Sequence, residues 1–235
     1  MDAHRGSLSP VSDPIHPPVL GVDGRRGRWC GALLAGDGRV SYLDLSDAEA
    51  VGAAADDAGV AVVGIDIPLG LPERGRRSCD TAARALLRPG RAGSRMFTAP
   101  PRPALDCLTH AEASKLARQL SGSGMSIQTW CLRAAIASGA ELAGDRRVIE
   151  VHPEVSFLVM TGRVLPRKRT AEGRTTRLAA LSRALPGLDP GGVPGHDDAI
   201  DALACAWTAR RWTARTATVL GGEPDASGRP MRIVA

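Results

Sequence analysis

Aspartates occur in this 235-residue chain at places where a carboxylate is costly. The apolar run VLGVDG reaches Asp23 and the run VAVVGID ends on Asp66, each finishing on Gly, an aliphatic residue and Asp. A carboxylate at the end of a buried strand is unfavourable unless something pairs with it. Side chains alternate across a strand, so Gly21 shares a face with Asp23, and Gly64 with Asp66. A missing side chain beside each carboxylate leaves room for water, an ion or another backbone. One such Asp can serve simply as a turn cap. Two, in strands expected to lie side by side, point to a shared site. The segment HDDAIDALACAWTA adds a third source of charge. On a helix, Asp197, Asp198 and Asp201 fall within a wedge about 100° wide. The residues around them, Ala199 to Trp207, are otherwise apolar, so this helix is buried nearly all round with one negative stripe. A helix N-terminus favours Asp197 and Asp198 by roughly 0.3–1 kcal/mol each. That does not account for Asp201, one turn further in. Like charges so close push one another's pKa up unless a cation lies between them.

A fourth cluster is VIEVHPE, where Val148, Glu150 and His152 share a strand face and Glu154 opens the next helix. Glu150 reads either as an edge residue paired with an arginine or as a metal or proton-transfer group. His152 reads either as a hydrogen-bonded core histidine or in those same chemical roles. Oxygen donors without Cys or paired His point to Mg2+ or Mn2+ rather than zinc. Carboxylates of this number and kind suit phosphodiester hydrolysis by two metal ions roughly 3.5–4 Å apart.

For these groups to meet, a sheet and one helix must bring them together. PVLGVDG reads as a buried strand, and RWCGALLAGDGRVSYLDL as two more joined at Gly36, Asp37 and Gly38, a connection suited to a hairpin. Three consecutive strands make an antiparallel meander. SDAEAVGAAADDAG follows as a helix capped by Ser46, and VAVVGID as a strand of the kind found inside a sheet. From Pro68 to Arg146 the pattern is mostly helical. CDTAARALLR, THAEASKLARQL with its Thr109/Glu112 capping box, and one long helix in SIQTWCLRAAIASGAELAG are interrupted by the loop PGRAGSRMFTAPPRPA. RRVIEVHPEVSFLVM turns from strand to helix at Pro153. RTTRLAALSRAL and HDDAIDALACAWTARRW are later helices, and TATVL and MRIVA small edge strands. This order predicts an α/β domain over 19–235: a mixed sheet of a three-strand antiparallel meander plus parallel strands, with flanking helices and a helical insertion over about 72–146. The ribonuclease H-like fold has this order, as does each half of the actin and sugar-kinase group.

At 43% hydrophobic and 23% charged residues the composition is that of a globular protein, and no apolar run approaches the roughly 20 residues of a membrane span. The first 18 residues mix Pro, Ser and charge without the apolar core of a signal peptide, which predicts a disordered leader on a cytoplasmic protein. Five scattered cysteines, without a C-x-x-C pair, suggest neither a disulfide framework nor a zinc site. The net charge of +5 suits a nucleic-acid partner, although arginine-rich composition alone could produce it. Lys115 and Lys168 are the only lysines. The loops LLRPGRAGSRMF and LPRKRTAEGR offer Arg88, Arg91, Arg95, Arg167, Lys168 and Arg169 as phosphate contacts, against the alternative of plain solvated loops. Few aromatic residues are present to stack bases, which favours a structured or duplex substrate.

Taken in order, GVDGRRGRW, GIDIPLGLP, CDTAAR, GSGMSIQ, EVHPEVSF, TAEGR and HDDAIDALACAWTA resemble the family catalogued as domain of unknown function 429, described as ribonuclease H-like nucleases, over nearly the whole chain from Leu20. Arg25 and Arg28 stand where that pattern holds smaller residues. The resemblance implies a metal-dependent nuclease. By likeness to Holliday-junction resolvases of that fold, Asp23, Asp66, Asp198 and Asp201 would be the Mg2+ or Mn2+ ligands, with Glu150 and His152 next to them. Two other readings compete: a nucleotide-binding phosphotransferase or ATPase of actin-like ancestry, which needs a second domain to clamp ATP, and a non-catalytic nucleic-acid-binding module.

Overall fold

Runs of Val, Ile and Leu build a five-stranded sheet in the order β3-β2-β1-β4-β5. The computed structural model describes residues 16–25, 27–90, 92–93 and 96–235. Most of the expected leader, together with Arg91 and Arg95, lies outside the described residues. β1 (Val19–Arg25), β2 (Arg28–Leu34) and β3 (Val40–Leu45) form the expected antiparallel meander. β4 (Val62–Ile65) and β5 (Val148–Glu150) add in parallel on the other side of β1.

Alternation divides the two cores. Leu20, Val22, Val63 and Ile65 face a cluster with Val51 and Ala55 of α1 (Ala48–Asp57) and Ile136 and Leu142 of α5 (Arg133–Leu142). Val19, Ala32, Leu34 and Val62 face the opposite way. There they pack with α6 (Pro153–Thr161), α7 (Ala171–Ala184) and above all α8 (Asp197–Thr213). Between β4 and β5 lie α2 (Ser78–Leu87), α3 (His110–Ser121), α4 (Ile127–Cys131) and α5. The capping box on α3 and the proline at the start of α6 are both present. Among the described residues no helix is long and apolar enough to cross a membrane.

Three local expectations are corrected. The cap of α1 is Asp47, whose carboxylate accepts from Ala50 N at 2.8 Å while Ser46 Oγ donates to it, because an ionised oxygen is the better acceptor at a helix N-terminus. The long helix from Ser126 is two helices, interrupted at Leu132 with φ −88° and ψ −2°. Tertiary packing sets the direction of the second: Gly139 lies so close to Ile67 that a Cβ there would stand 2.7 Å from its Cγ2. Finally, β6 (Val219–Pro224) and β7 (Pro230–Val234) do not edge the main sheet but pair with each other, touching it through one bridge between Val151 and Val234. Polar anchors hold this hairpin over the insertion instead. Glu223 accepts from Ser78 N at 2.9 Å, and Asp225 from Leu71 N at 3.1 Å and Arg102 Nη2 at 2.6 Å.

Candidate active site

The room left by the two glycines is filled by helix backbone. A Cβ on Gly21 would stand 1.9 Å from the Ala202 carbonyl oxygen and 2.2 Å from Ala206 N; one on Gly64 would stand 2.7 Å from the Cys205 carbonyl oxygen. α8 therefore rests directly on β1 and β4, which places Asp201 at the carboxyl ends of both strands. The strand register carries the other two carboxylates to the same edge. Gly21 pairs with Gly64 and Val22 with Ile65, and Asp66 N donates to the Val22 carbonyl at 3.0 Å, so Asp23 and Asp66 leave the sheet side by side. The carboxyl edge of parallel strands is where α/β folds form ligand sites.

Asp23, Asp66, Asp198 and Asp201 line one cavity of about 810 Å3, with His152, Glu154 and residues 167–170 also on its wall. Asp23 is 8% exposed and Asp201 3%. Burial, then the charges of Asp66 and Asp201, hold the Asp23 carboxyl well above the usual carboxylate range. Burial likewise pushes Asp66 up to about 7 and Asp201 up to about 6, in each case against the pull of Lys168. Burial pulls His152 down, which leaves a neutral imidazole at pH 7. Its Nδ1 is buried without a hydrogen-bond partner among the described residues.

The cation facing this cluster is Lys168, whose ammonium donates to Asp201 Oδ2. Burial would pull its pKa down, but Asp201 and Asp23 outweigh that and keep it charged. Among the described residues Asp23 and Asp66 make no salt bridge of their own. Glu154, by contrast, is bound at 2.5 Å by the buried Arg177. The loop before α7 is firmly held. Arg177 Nη1 donates to the Pro166 carbonyl at 2.8 Å, and Thr170 donates through N and Oγ1 to the Arg167 carbonyl at 3.1 and 2.8 Å. Gly173 is what lets that loop lie on the helix, since a Cβ there would stand 1.9 Å from Arg167 O. The motif TAEGR is thus a clamp for the segment that carries Lys168.

The structure brings Asp23, Asp66, Asp198, Asp201 and His152 together but takes Glu150 elsewhere. Glu150 accepts from Arg77 Nη1 and Nη2, both at 2.7 Å, and from Leu69 N at 2.9 Å, in a buried network that also holds Asp80. β5 ends at Glu150 and the chain turns into α6, so strand alternation no longer relates it to His152. The expectation that Glu150 adjoins the metal ligands is corrected: it carries the arginine pairing offered as the alternative, and CDTAAR supplies part of that network. Arg167, Lys168 and Arg169 are at the cavity, whereas Arg88 lies by a separate small cavity beside Arg76 and Arg84. Sequence reasoning missed the opposite wall, where Ile67, Phe97, Gln128, Leu132 and Ala135 line the cavity. Its signal was the Pro-containing run MFTAPP and the GMSIQ segment, whose approach to β4 depends on the tertiary path of the insertion. The ion pair of Lys168 was missed too. A lysine isolated among so many arginines was the available hint.

The donor set suits a hard divalent ion: carboxylates from two strands and a helix, with an unpartnered imidazole nitrogen nearby. They are not drawn into a finished coordination shell; among the described residues no group of three or more His, Cys, Asp or Glu is arranged to hold a metal ion. The nearby charge is the Lys168 ammonium. In chemistry the residues fit such an ion, since a divalent cation among these carboxylates would favour their charged forms against the burial that raises their pKa.

A five-stranded mixed sheet in this order, with parallel and antiparallel strands and flanking helices, is consistent with a ribonuclease H-like α/β fold. By sequence, the chain belongs to the family described as protein of unknown function (DUF429), whose pattern matches residues 21–226. No curated protein and no solved structure matches the chain.

Proposed function

We propose that the acidic cavity is the active site of a nuclease that hydrolyses phosphodiester bonds of DNA or RNA with Mg2+ or Mn2+. One observation carries the reading: four aspartates from β1, the end of β4 and α8 converge on a single cavity with a basic rim. Asp23, Asp66, Asp198 and Asp201 would hold the metal, which when bound supplies an activated water and a Lewis acid for the leaving oxygen. The remaining tasks belong to the chain's own side chains. Arg167 and Arg169, exposed at the mouth, would meet the phosphates beside the scissile bond. His152, neutral and with a ring nitrogen unpartnered, is equipped to accept a proton. Phe97 and Leu132 make the wall against which the non-phosphate part of the substrate would rest. All five cysteines are free thiols, which fits a reducing, cytoplasmic compartment.

The test is cleavage of labelled single- and double-stranded DNA and RNA with MnCl2, MgCl2 or EDTA. Asp66→Asn should abolish cleavage while leaving the fold intact, and EDTA should do the same to the wild type. Equal activity in the variant, or cleavage that persists in EDTA, refutes the assignment.

A further inference from the structure

We propose that Lys168 is the resident counter-ion of the acidic cavity, and that its ammonium and a divalent cation exclude one another at Asp201. Metal entry then drives Lys168 outward to the mouth, beside Arg167 and Arg169, where it adds to the phosphate-binding rim. This rests on the metal-dependent reading above and names how that site is kept in the absence of metal.

The geometry supports each part. The ammonium is seated on a carboxylate whose side chain is 4% exposed, yet the Lys168 side chain as a whole is 39% exposed. Its charge is therefore inside while its stem borders solvent, and a path outward exists without unfolding. The backbone does not need to move. Pro166 is held by Arg177, Arg167 by Thr170, and Gly173 seats the loop against α7, so the displacement is a rotation of the four-carbon side chain. Position 168 also suits a lysine. Only two of the 30 basic residues are lysines, and a compact ammonium on a flexible stem can lodge among carboxylates and swing away, as a rigid, five-donor guanidinium cannot. Asp23 and Asp66 complete the argument. Both face the cavity without a salt bridge among the described residues, so a single ammonium cannot satisfy the cluster and a doubly charged ion can displace it.

The scarcity of lysine makes the test clean. Reductive methylation of the full-length chain, followed by peptide mass spectrometry, reports Lys168 with Lys115 as an internal reference. In EDTA, Lys168, whose ammonium is seated on Asp201, should react about tenfold more slowly than the exposed Lys115. Saturating MnCl2 should raise the Lys168 rate toward that of Lys115 and leave Lys115 unchanged. Lys168→Met should bind Mn2+ about tenfold more tightly than wild type by titration calorimetry, a gain of about 1.4 kcal/mol. Mn2+ binding with Lys168 reactivity unmoved, or Mn2+ affinity unchanged or weaker in Lys168→Met, overturns the counter-ion role alone. No Mn2+ binding to either protein overturns the metal reading with it. A Lys168→Met chain that folds only with Mn2+ supports the proposal, and one that never folds leaves the wild-type labelling to decide.

Discussion

Gly21→Ala is the sharpest perturbation of the device that assembles the site. The added Cβ would stand 1.9 Å from Ala202 O, where an ordinary contact is at least 3.4 Å, so α8 must retreat from β1 by about 1.5 Å. A helix about 10 Å across, backing away over about two turns or 10 Å, opens a gap of about 150 Å3. At about 24 cal/mol per Å3 the gap costs about 3.6 kcal/mol. Alanine's smaller loss of chain freedom offsets roughly 0.5–1 kcal/mol of that. The net loss of about 3 kcal/mol lowers Tm by about 6–12 °C in a chain of this size. Since Asp201 retreats with the helix, Mn2+ affinity should fall by about tenfold, or about 1.4 kcal/mol. Calorimetric melting in EDTA and MnCl2 titration read the two effects. Gly52→Ala is the matched control: within α1 its Cβ would meet nothing within 4 Å, and helix propensity should raise stability by about 1 kcal/mol. A Gly21→Ala chain that melts within about 2 °C of wild type and binds Mn2+ equally well refutes the claim that helix-to-strand contact positions Asp201.

The other predictions concern charge. Arg77→Met leaves Glu150 and Asp80 buried without their cation and should cost about 3–5 kcal/mol by chemical denaturation. Mn2+ affinity of the variant that remains folded should be unchanged; a large loss would return Glu150 to the metal site. The metal-free wild type should lose stability as pH rises from 6.5 to 8.5. The folded pKa of Asp66, about 7, lies above its value of 3.8 in the unfolded chain, as does that of Asp23, so the folded state binds more protons and deprotonation there disfavours it. The depressed pKa of His152 acts in the opposite direction, but only near and below its unfolded value of 6.5. Each full proton of difference is worth about 1.4 kcal/mol per pH unit. Melting in EDTA across this window checks the sign, and a Tm that rises contradicts it. Asp66→Asn should flatten the dependence and melt above wild type at pH 8.5 in EDTA; a lower melt would show that the carboxylate supports the fold.

Much of this arrangement was legible in the sequence because it is governed by short periods. Alternation in VLGVDG and VAVVGID put Gly and Asp on one face, and the helical period put Asp198 and Asp201 on one stripe. The antiparallel meander and the parallel strands added to it followed from those runs and their connections. The break at Leu132, the placement of β6 and β7 and the pairing of Glu150 were hidden for a common reason. Each is decided by a partner far along the chain: Ile67 against Gly139, Ser78 for Glu223, Arg77 for Glu150. Local propensity carries no information about such partners.

The run LPRKRTAEGR shows the same division within ten residues. Its density of positive charge reads as a surface segment, and Arg167 and Arg169 are indeed exposed, at the rim of the cavity. Lys168, between them, turns inward because the backbone on either side is bound by Arg177 and Thr170, and because Gly173 lets the loop settle on α7. Acidic groups drawn to one cavity are neutralised by protons, which the raised pKa values of Asp23 and Asp66 favour, or by a cation such as the Lys168 ammonium on Asp201. Among the described residues it is the lysine between two arginines whose side chain reaches Asp201, from a backbone held on either side. On the proposed metal-dependent reading, the loop clamp is the part of the fold that holds this internal counter-ion in place.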